Sequence, residues 1–468
     1  MKKIYLFNCI TLLFLVALIS CSKDDSGVRT EKSGTLIKVY NPEGIDCYTL
    51  TSSGTVGYTA NPDLIEDART ILNVPNTINC DGKTYYVTSI ESYATQNFKN
   101  LSSVVLPISI TNLKRNAFIS CSATTINIPS SLTKIGIGAF KNNRLNELTL
   151  TKNVKEVGDS AFFGSINLEN VVIEDGVETI GLSAFEASNK LNNVSLGSSV
   201  SEIGSRAFAD CNNLEYINLP SALDTLGTSV FDGCVKLKTI SIPTKITVIP
   251  FKTFNRCSAL TEISMPDNIT NIDSYAFGNC INLKKVLIPI TVDRIGEGTF
   301  SNCGIDTISM PNSVKRLGNN LFYGCNKLKK ITISHSIDTI PEGMFGLCET
   351  LETIEIPEGI TLIGKQAFSN SMVLKTVKFP STLKKISESA FENCTSLNEV
   401  TLPENIEEIS QDAFPESVEI LHVKSLSPPI IYSNSFNISS ATTAYVPLNV
   451  VELYKKAKYW ESINIIGE

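Results

Sequence analysis

The sequence predicts a repeat solenoid: a right-handed coil with a parallel β-sheet, short second strands and helical or 3-10 turns, capped at both ends. Three observations predict it. A phenylalanine recurs at Phe98, Phe118, Phe140, Phe162, Phe185, Phe208, Phe231, Phe254, Phe277, Phe300, Phe322, Phe345, Phe368, Phe391, Phe414 and Phe436, spaced by 20 residues once and otherwise by 22 or 23. Ahead of it runs a Leu-x-x-Ile-x-Ile segment whose last apolar residues alternate, as in a strand with one buried face. Proline follows that strand at Pro220, Pro243, Pro266, Pro289, Pro311, Pro357, Pro380 and Pro403, where a missing N–H forfeits least pairing.

The chain begins with Lys2 and Lys3 and an apolar run from Ile10 to Ile19 broken only by Thr11. That run is too short to span a bilayer comfortably, so residues 1–20 read as a signal peptide. Leu18-Ile19-Ser20-Cys21 resembles the lipobox of bacterial lipoproteins. The resemblance implies cleavage before Cys21 and acylation of that cysteine, and several acyl chains hold a protein on a membrane durably. The following Ser22-Lys23-Asp24-Asp25 resembles the acidic signal that places Bacteroidetes lipoproteins on the outer face of the outer membrane. From its charges alone the same stretch is a solvated tether, spanning 21–34.

An apolar content of 42% with 19% charged residues describes a chain that folds. Losing Lys2 and Lys3 with the signal peptide takes the formal net charge from −7 to −9 (−7 − 2). A mildly acidic body with no basic block argues against nucleic acid as a partner.

Residues 35–87 are expected to form a β-rich amino-terminal cap. Asp81-Gly82 suits a type I′ hairpin turn, whose positive φ angles both residues tolerate, feeding the first coil. From 88 to 424 the unit is legible in Leu260-Thr261-Glu262-Ile263-Ser264-Met265-Pro266, then Ile269 and Ile272, then Ala276-Phe277, with Cys280 closing it. Such a coil cannot hide its own apolar edge, so neighbours stack and only the array's ends need caps. Period and pattern resemble the BspA-like leucine-rich-repeat family of bacterial surface proteins, from about Thr88 to Val423. Residues 425–468 hold a last repeat and a terminal segment: Ala444-Tyr445-Val446-Pro447 and Tyr454 to Trp460 resemble the family's own ending and read as a lid.

Nine cysteines, Cys121, Cys211, Cys234, Cys257, Cys280, Cys303, Cys325, Cys348 and Cys394, stand three residues after the repeat phenylalanine, where other repeats carry Asn143, Ser165, Ser188 or Ser371. A place that accepts Cys, Asn or Ser is small and inward, with a polar atom bonded to turn backbone. A disulfide or metal ladder is the alternative, but thiols in a row about 4.8 Å apart do not suit either chemistry. Cys47 and Cys80 lie outside that row and pair in an oxidising compartment on one reading.

The only histidines, His335 and His422, are too far apart to share a metal, and no residue pattern places either beside a nucleophile in a cleft. Gly136, Gly158, Gly181, Gly204, Gly227, Gly296, Gly318 and Gly364 share one repeat position and read as turns rather than a phosphate loop. Neither an enzyme nor a cofactor is expected.

The exposed strand position runs Ser195, Asn218, Ser241, Ser264, Leu287, Ser309, Thr332, Glu355, Lys378 and Thr401. Beside it lie Tyr216, Lys284, Lys285, Asp306, Lys329, Lys330, Glu352 and Lys375, charges that alternate in patches. Their plainest role is solubility. As a candidate binding face, broad, charged and poor in aromatics, they favour a protein partner, which the family resemblance places on host matrix or on other bacteria. The alternative is a glycan-binding surface lipoprotein, for which aromatics clustered across neighbouring coils would speak.

Overall fold

In the computed structural model, residues 19–20, 28–64, 66–96, 98–436 and 442–468 are described. Each repeat makes one coil, and its backbone bonds to the neighbouring coils along three lines. The first is the face ladder, whose parallel strands include Glu147–Leu150, Asn170–Ile173 and Asn193–Ser195, paired in register. The second joins two-residue strands from Asn112–Leu113 to Glu408–Ile409. The third runs along the phenylalanine corner.

That corner refines the expected helical or 3-10 turn. It carries i to i+3 bonds, as from Cys121 N–H to the Phe118 carbonyl at 3.2 Å. It does not continue as a helix, because residues two before and two after the phenylalanine are left-handed, as are Asn116 and Ser120 at φ 54°. The alternation turns every second N–H along the solenoid axis. Asn116, Phe118 and Ser120 thus donate to the carbonyls of Ile137, Ala139 and Lys141 at 2.9, 2.7 and 2.7 Å. Buried peptide groups at a tight corner are in this way satisfied by the next coil.

The repeat phenylalanines point inward. From Phe118 to Phe436 each ring stacks nearly parallel on the next, with centroids 4.9 to 5.9 Å apart. Each such pair contributes about 0.5–1.5 kcal/mol beyond area burial. Around this column lie the inward leucines, isoleucines and valines of both strands, almost all fully buried.

Both ends of the array carry a side chain packed on a repeat phenylalanine. At the front the Arg69 guanidinium lies 5.1 Å from the centroid of Phe98. It is held by Asp46 at 2.8 Å and Asp67 at 2.7 Å, and those carboxylates keep it charged despite its burial. At the back the Trp460 ring covers Phe436 at 6.0 Å, Tyr454 meets Trp460 edge-on at 5.0 Å, and Trp460 Nε1 donates to the Pro429 carbonyl at 2.9 Å.

Ahead of the coils, strands Arg29–Ser33, Leu36–Asn41, Gly44–Leu50 and Val56–Thr59 form an antiparallel meander. Its last strand pairs parallel with Lys83–Ile90, which begins the second ladder. Asp81 and Gly82 take φ of 52° and 69° between Thr77–Cys80 and Lys83–Ile90, as the hairpin reading requires. Strand Ile19–Ser20 pairs with Arg29–Ser33.

The cysteine row is structural. The Cys280 thiol donates to the Phe254 carbonyl of the preceding coil at 3.1 Å, and Cys211, Cys234, Cys257, Cys303, Cys325, Cys348 and Cys394 repeat the contact at 3.0 to 3.4 Å. Ser371 makes it to Phe345 at 2.7 Å. Burial pushes these thiols up, Cys394 to about 12. Cys47 is a buried free thiol and so not disulfide-bonded to Cys80; its burial raises it to about 11.

Candidate binding face

The face ladder brings the outward strand positions into one row. Its register sets Ser241 beside Ser264, Ser309 beside Thr332, Glu355 beside Lys378, and Thr401 beside His422 and then Tyr445. Every member of the row read from the sequence is exposed, Leu287 at 81%. Between them the inward residues Ile263, Ile308 and Ile354 are buried. The alternation of a half-buried strand is what puts polar groups on this side.

The charged candidates fall into two sets. Lys375 Nζ lies 2.9 Å from Glu352, and Lys378 Nζ 2.5 Å from Glu355, each pair bridging adjacent coils. The Lys375 hydrogen bond holds the Glu352 carboxyl below the usual carboxylate range. Lys238 is likewise engaged by Glu215 at 2.6 Å and covers the Tyr216 ring at 5.2 Å, so that aromatic face is occupied. By contrast, among the described residues Lys284, Lys285, Lys329, Lys330 and Asp306 enter no ion pair. Asp306 accepts a hydrogen bond from the Thr307 hydroxyl, and its carbonyl from the Lys329 N–H.

A groove of about 830 Å³ crosses three coils of this face and collects Lys329, Lys330, Thr332, Glu355 and Lys378. It also takes in His335, Ile331 and Phe379, which the sequence reading did not assign to a binding face. A signal was present for two of them. Ser334-His335 stands where most repeats have proline, and Phe379 is an aromatic at a slot that holds Leu, Ile or Met in other coils. Lys284 and Lys285 lie outside the groove, nearer the amino terminus.

His335 and His422 lie apart as the sequence implied. His422 stacks on Tyr445 at 5.2 Å, with Nδ1 2.9 Å from Glu468. No cluster of three or more His, Cys, Asp or Glu able to hold a metal occurs among the described residues. Away from the face, Phe251 and Tyr275 on neighbouring coils meet edge to face at 6.4 Å. Tyr275 lies on Gly298, where a Cβ would come within 2.4 Å of the ring, and Lys252 Nζ sits 5.9 Å from the same ring. Cys21 lies outside the described residues, and no described helix is long and apolar enough to cross a membrane.

The sequence matches the family described as BspA type leucine rich repeat region over residues 83–192, 178–304, 272–394 and 363–466. Among solved structures it is similar to a leucine-rich repeat protein from Bacteroides ovatus, at 23% identity and a TM-score of 0.64, covering 90% of this chain and 98% of that one. At that identity the likeness is one of fold. A leucine-rich cell surface protein from Faecalibacterium prausnitzii aligns at 20% identity over 92% of this chain and 94% of its own, with a TM-score of 0.36. The pneumococcal vaccine antigen PcpA aligns at 18% identity over 92% and 98%, with a TM-score of 0.33. No curated protein matches the sequence. Stacked coil on coil and matched from residue 83 to 466, the chain belongs to the BspA-type leucine-rich-repeat family.

Proposed function

We propose that the protein is a non-catalytic binding protein of the bacterial surface that presents its face ladder to a protein partner, on host matrix or on another bacterium. Acyl chains on Cys21 tether it to the outer membrane, with the coils on the outer side. The observation that carries the reading is the set of four exposed lysines, Lys284, Lys285, Lys329 and Lys330, left without ion pairs on a broad face of a chain whose net charge is −7. Elsewhere on that face lysines are neutralised by carboxylates one coil away, as with Lys375 and Lys378. Unpaired charge on a flat stacked surface steers and orients an oppositely charged protein. A glycan partner has less support, since Lys238 already lies over one face of the exposed Tyr216 ring.

The test is capture of host matrix proteins, with a glycan array in parallel, by the soluble chain at low and raised salt. A variant reversing Lys284, Lys285, Lys329 and Lys330 to Glu is expected to lose capture, and wild-type capture is expected to weaken as salt screens the lysines. Capture indifferent to the four reversals would remove this face from consideration.

A further inference from the structure

The groove on the strand face lies on a seam in the ladder. Strand Thr307–Ser309 pairs with Lys330–Thr332, and Thr353–Glu355 with Thr376–Lys378. Between Lys330–Thr332 and Thr353–Glu355 the ladder is interrupted, and no backbone hydrogen bond joins them among the described residues. Main-chain N–H and C=O groups along the seam therefore need partners from outside the ladder, from water or from a ligand.

The groove of about 830 Å³ straddles this seam. Its floor carries apolar surface: Ile331 is half-buried, whereas Ile308 and Ile354 in the flanking strands are 6% and 5% exposed, and Phe379 adds a partly exposed ring. Its rim is cationic. Lys329, Lys330 and Lys378 face Glu355 and Glu358, a local formal charge of +1 (3 − 2) on a chain of −7. Glu355 is bound to Lys378, and Glu358 is held by Ser381 N–H and Oγ at 3.0 and 2.9 Å, so Lys329 and Lys330 are the cations of the rim without an ion pair among the described residues. Two smaller hollows mark other seams, 280 Å³ between Tyr216–Ile217 and Thr239–Ser241 and 240 Å³ between Thr125–Ile126 and Glu147–Leu150, but each is lined by one Glu and no Lys.

We propose that this groove seats an extended acidic segment of the protein partner, in which carboxylate and apolar side chains alternate. The inference rests on the reading of the strand face as a protein-binding surface and adds the kind of segment it takes. Carboxylates meet Lys329 and Lys330, and apolar side chains cover Ile331 and Phe379. Alternation is what an extended chain offers two such surfaces at once. Three coils at about 4.8 Å span roughly 10 Å, or three to four extended residues.

The test uses fluorescence anisotropy of the full chain with three probes: a peptide alternating Glu and Val, its counterpart alternating Lys and Val, and a sulfated polysaccharide. The acidic peptide is expected to bind and the basic one not to. K329E/K330E is expected to weaken the acidic peptide by about tenfold or more, while K284E/K285E leaves it unchanged; melting curves confirm that both variants fold. Binding that ignores K329E/K330E, binding lost equally on K284E/K285E, binding of the polysaccharide alone, or no peptide binding would each overturn the proposal. If captured matrix proteins still respond to reversal of all four lysines while the acidic peptide does not bind, the acidic segment falls and the strand-face reading survives. If they ignore all four, that reading falls with it.

Discussion

At the scale of the residue, one carbonyl explains why the place after each phenylalanine admits cysteine, serine or asparagine. The Phe254 carbonyl accepts the Cys257 N–H of its own coil and the Cys280 thiol of the next, both at 3.1 Å. Ser188 and Ser371 fulfil the second role as cysteine does, whereas Asn143 and Ser165 donate to the phenylalanine carbonyl of their own coil; the interchange among Cys, Ser and Asn made that inward polar role legible. The acceptor itself was not legible, because it lies one coil away and depends on register. The thiols' chemistry follows from their burial. In the folded protein they are expected to resist alkylation by iodoacetamide at neutral pH and to react once the chain is unfolded in denaturant; prompt labelling of native protein would contradict their placement. Burial also raises their pKa, that of Cys394 to about 12 and that of Cys47, outside the row, to about 11. Unfolded thiols ionise near pH 8.5. The stability they confer is therefore whole below that pH and declines as pH rises from there through the folded values. Denaturant midpoints measured from pH 7 to 11 should fall, and replacing ladder cysteines with serine should flatten the fall.

At the scale of the element, proline decides where the second ladder stops. In most coils the residue after the second strand donates back to the preceding coil, as from Gly227 to Ile203, Asp273 to Ile249, Gly296 to Ile272 and Gly364 to Ile340, at 2.8 to 2.9 Å. Two coils carry Pro250 and Pro341 there, without an N–H to give. The ladder breaks at those two interfaces, after Thr225–Leu226 and after Arg316–Leu317. At Pro250 the face ladder is also interrupted, between Tyr216–Ile217 and Thr239–Ser241, so the connection rests on Lys238 N–H to Glu215 at 3.2 Å and on the corner, as through Phe231 N–H to Thr253 at 2.9 Å. Replacing Pro250 with Gly should supply the missing donor to Leu226. Hydrogen exchange would then show the new amide protected like that of Gly227, and Val248–Ile249 slowed; an amide at 250 exchanging as freely as a loop would refute this account. The sequence displayed both prolines, but the glycine position looked like turn punctuation until the inter-coil bond was seen. The seams in the face ladder have no such marker in the sequence, which is why the groove over one of them could not be read in advance.

At the scale of the whole molecule, each coil's interior is completed only by its neighbours, so stability is local and additive along the axis. Repeat architecture was legible because one inward phenylalanine recurs with nearly fixed spacing, and that spacing alone requires like to stack on like. The binding face was legible as a row but not in its electrostatics, since whether a lysine is engaged depends on which carboxylate the next coil sets beside it. The ends matter most, because an uncapped column would show its last ring to water. Trp460, 1% exposed, covers Phe436 and is itself fixed by Tyr454 and the Pro429 carbonyl. Truncating it to Ala should cost about 3–5 kcal/mol, as for other buried aromatics. In a nearest-neighbour array that loss does not spread evenly. Hydrogen exchange should accelerate first in Ile420–Val423 and Thr443–Val446, while strands around Phe254 and Phe277 keep their protection. Uniform acceleration along all the coils would mean that the solenoid unfolds as one cooperative body and that Trp460 is no more a cap than any other buried ring.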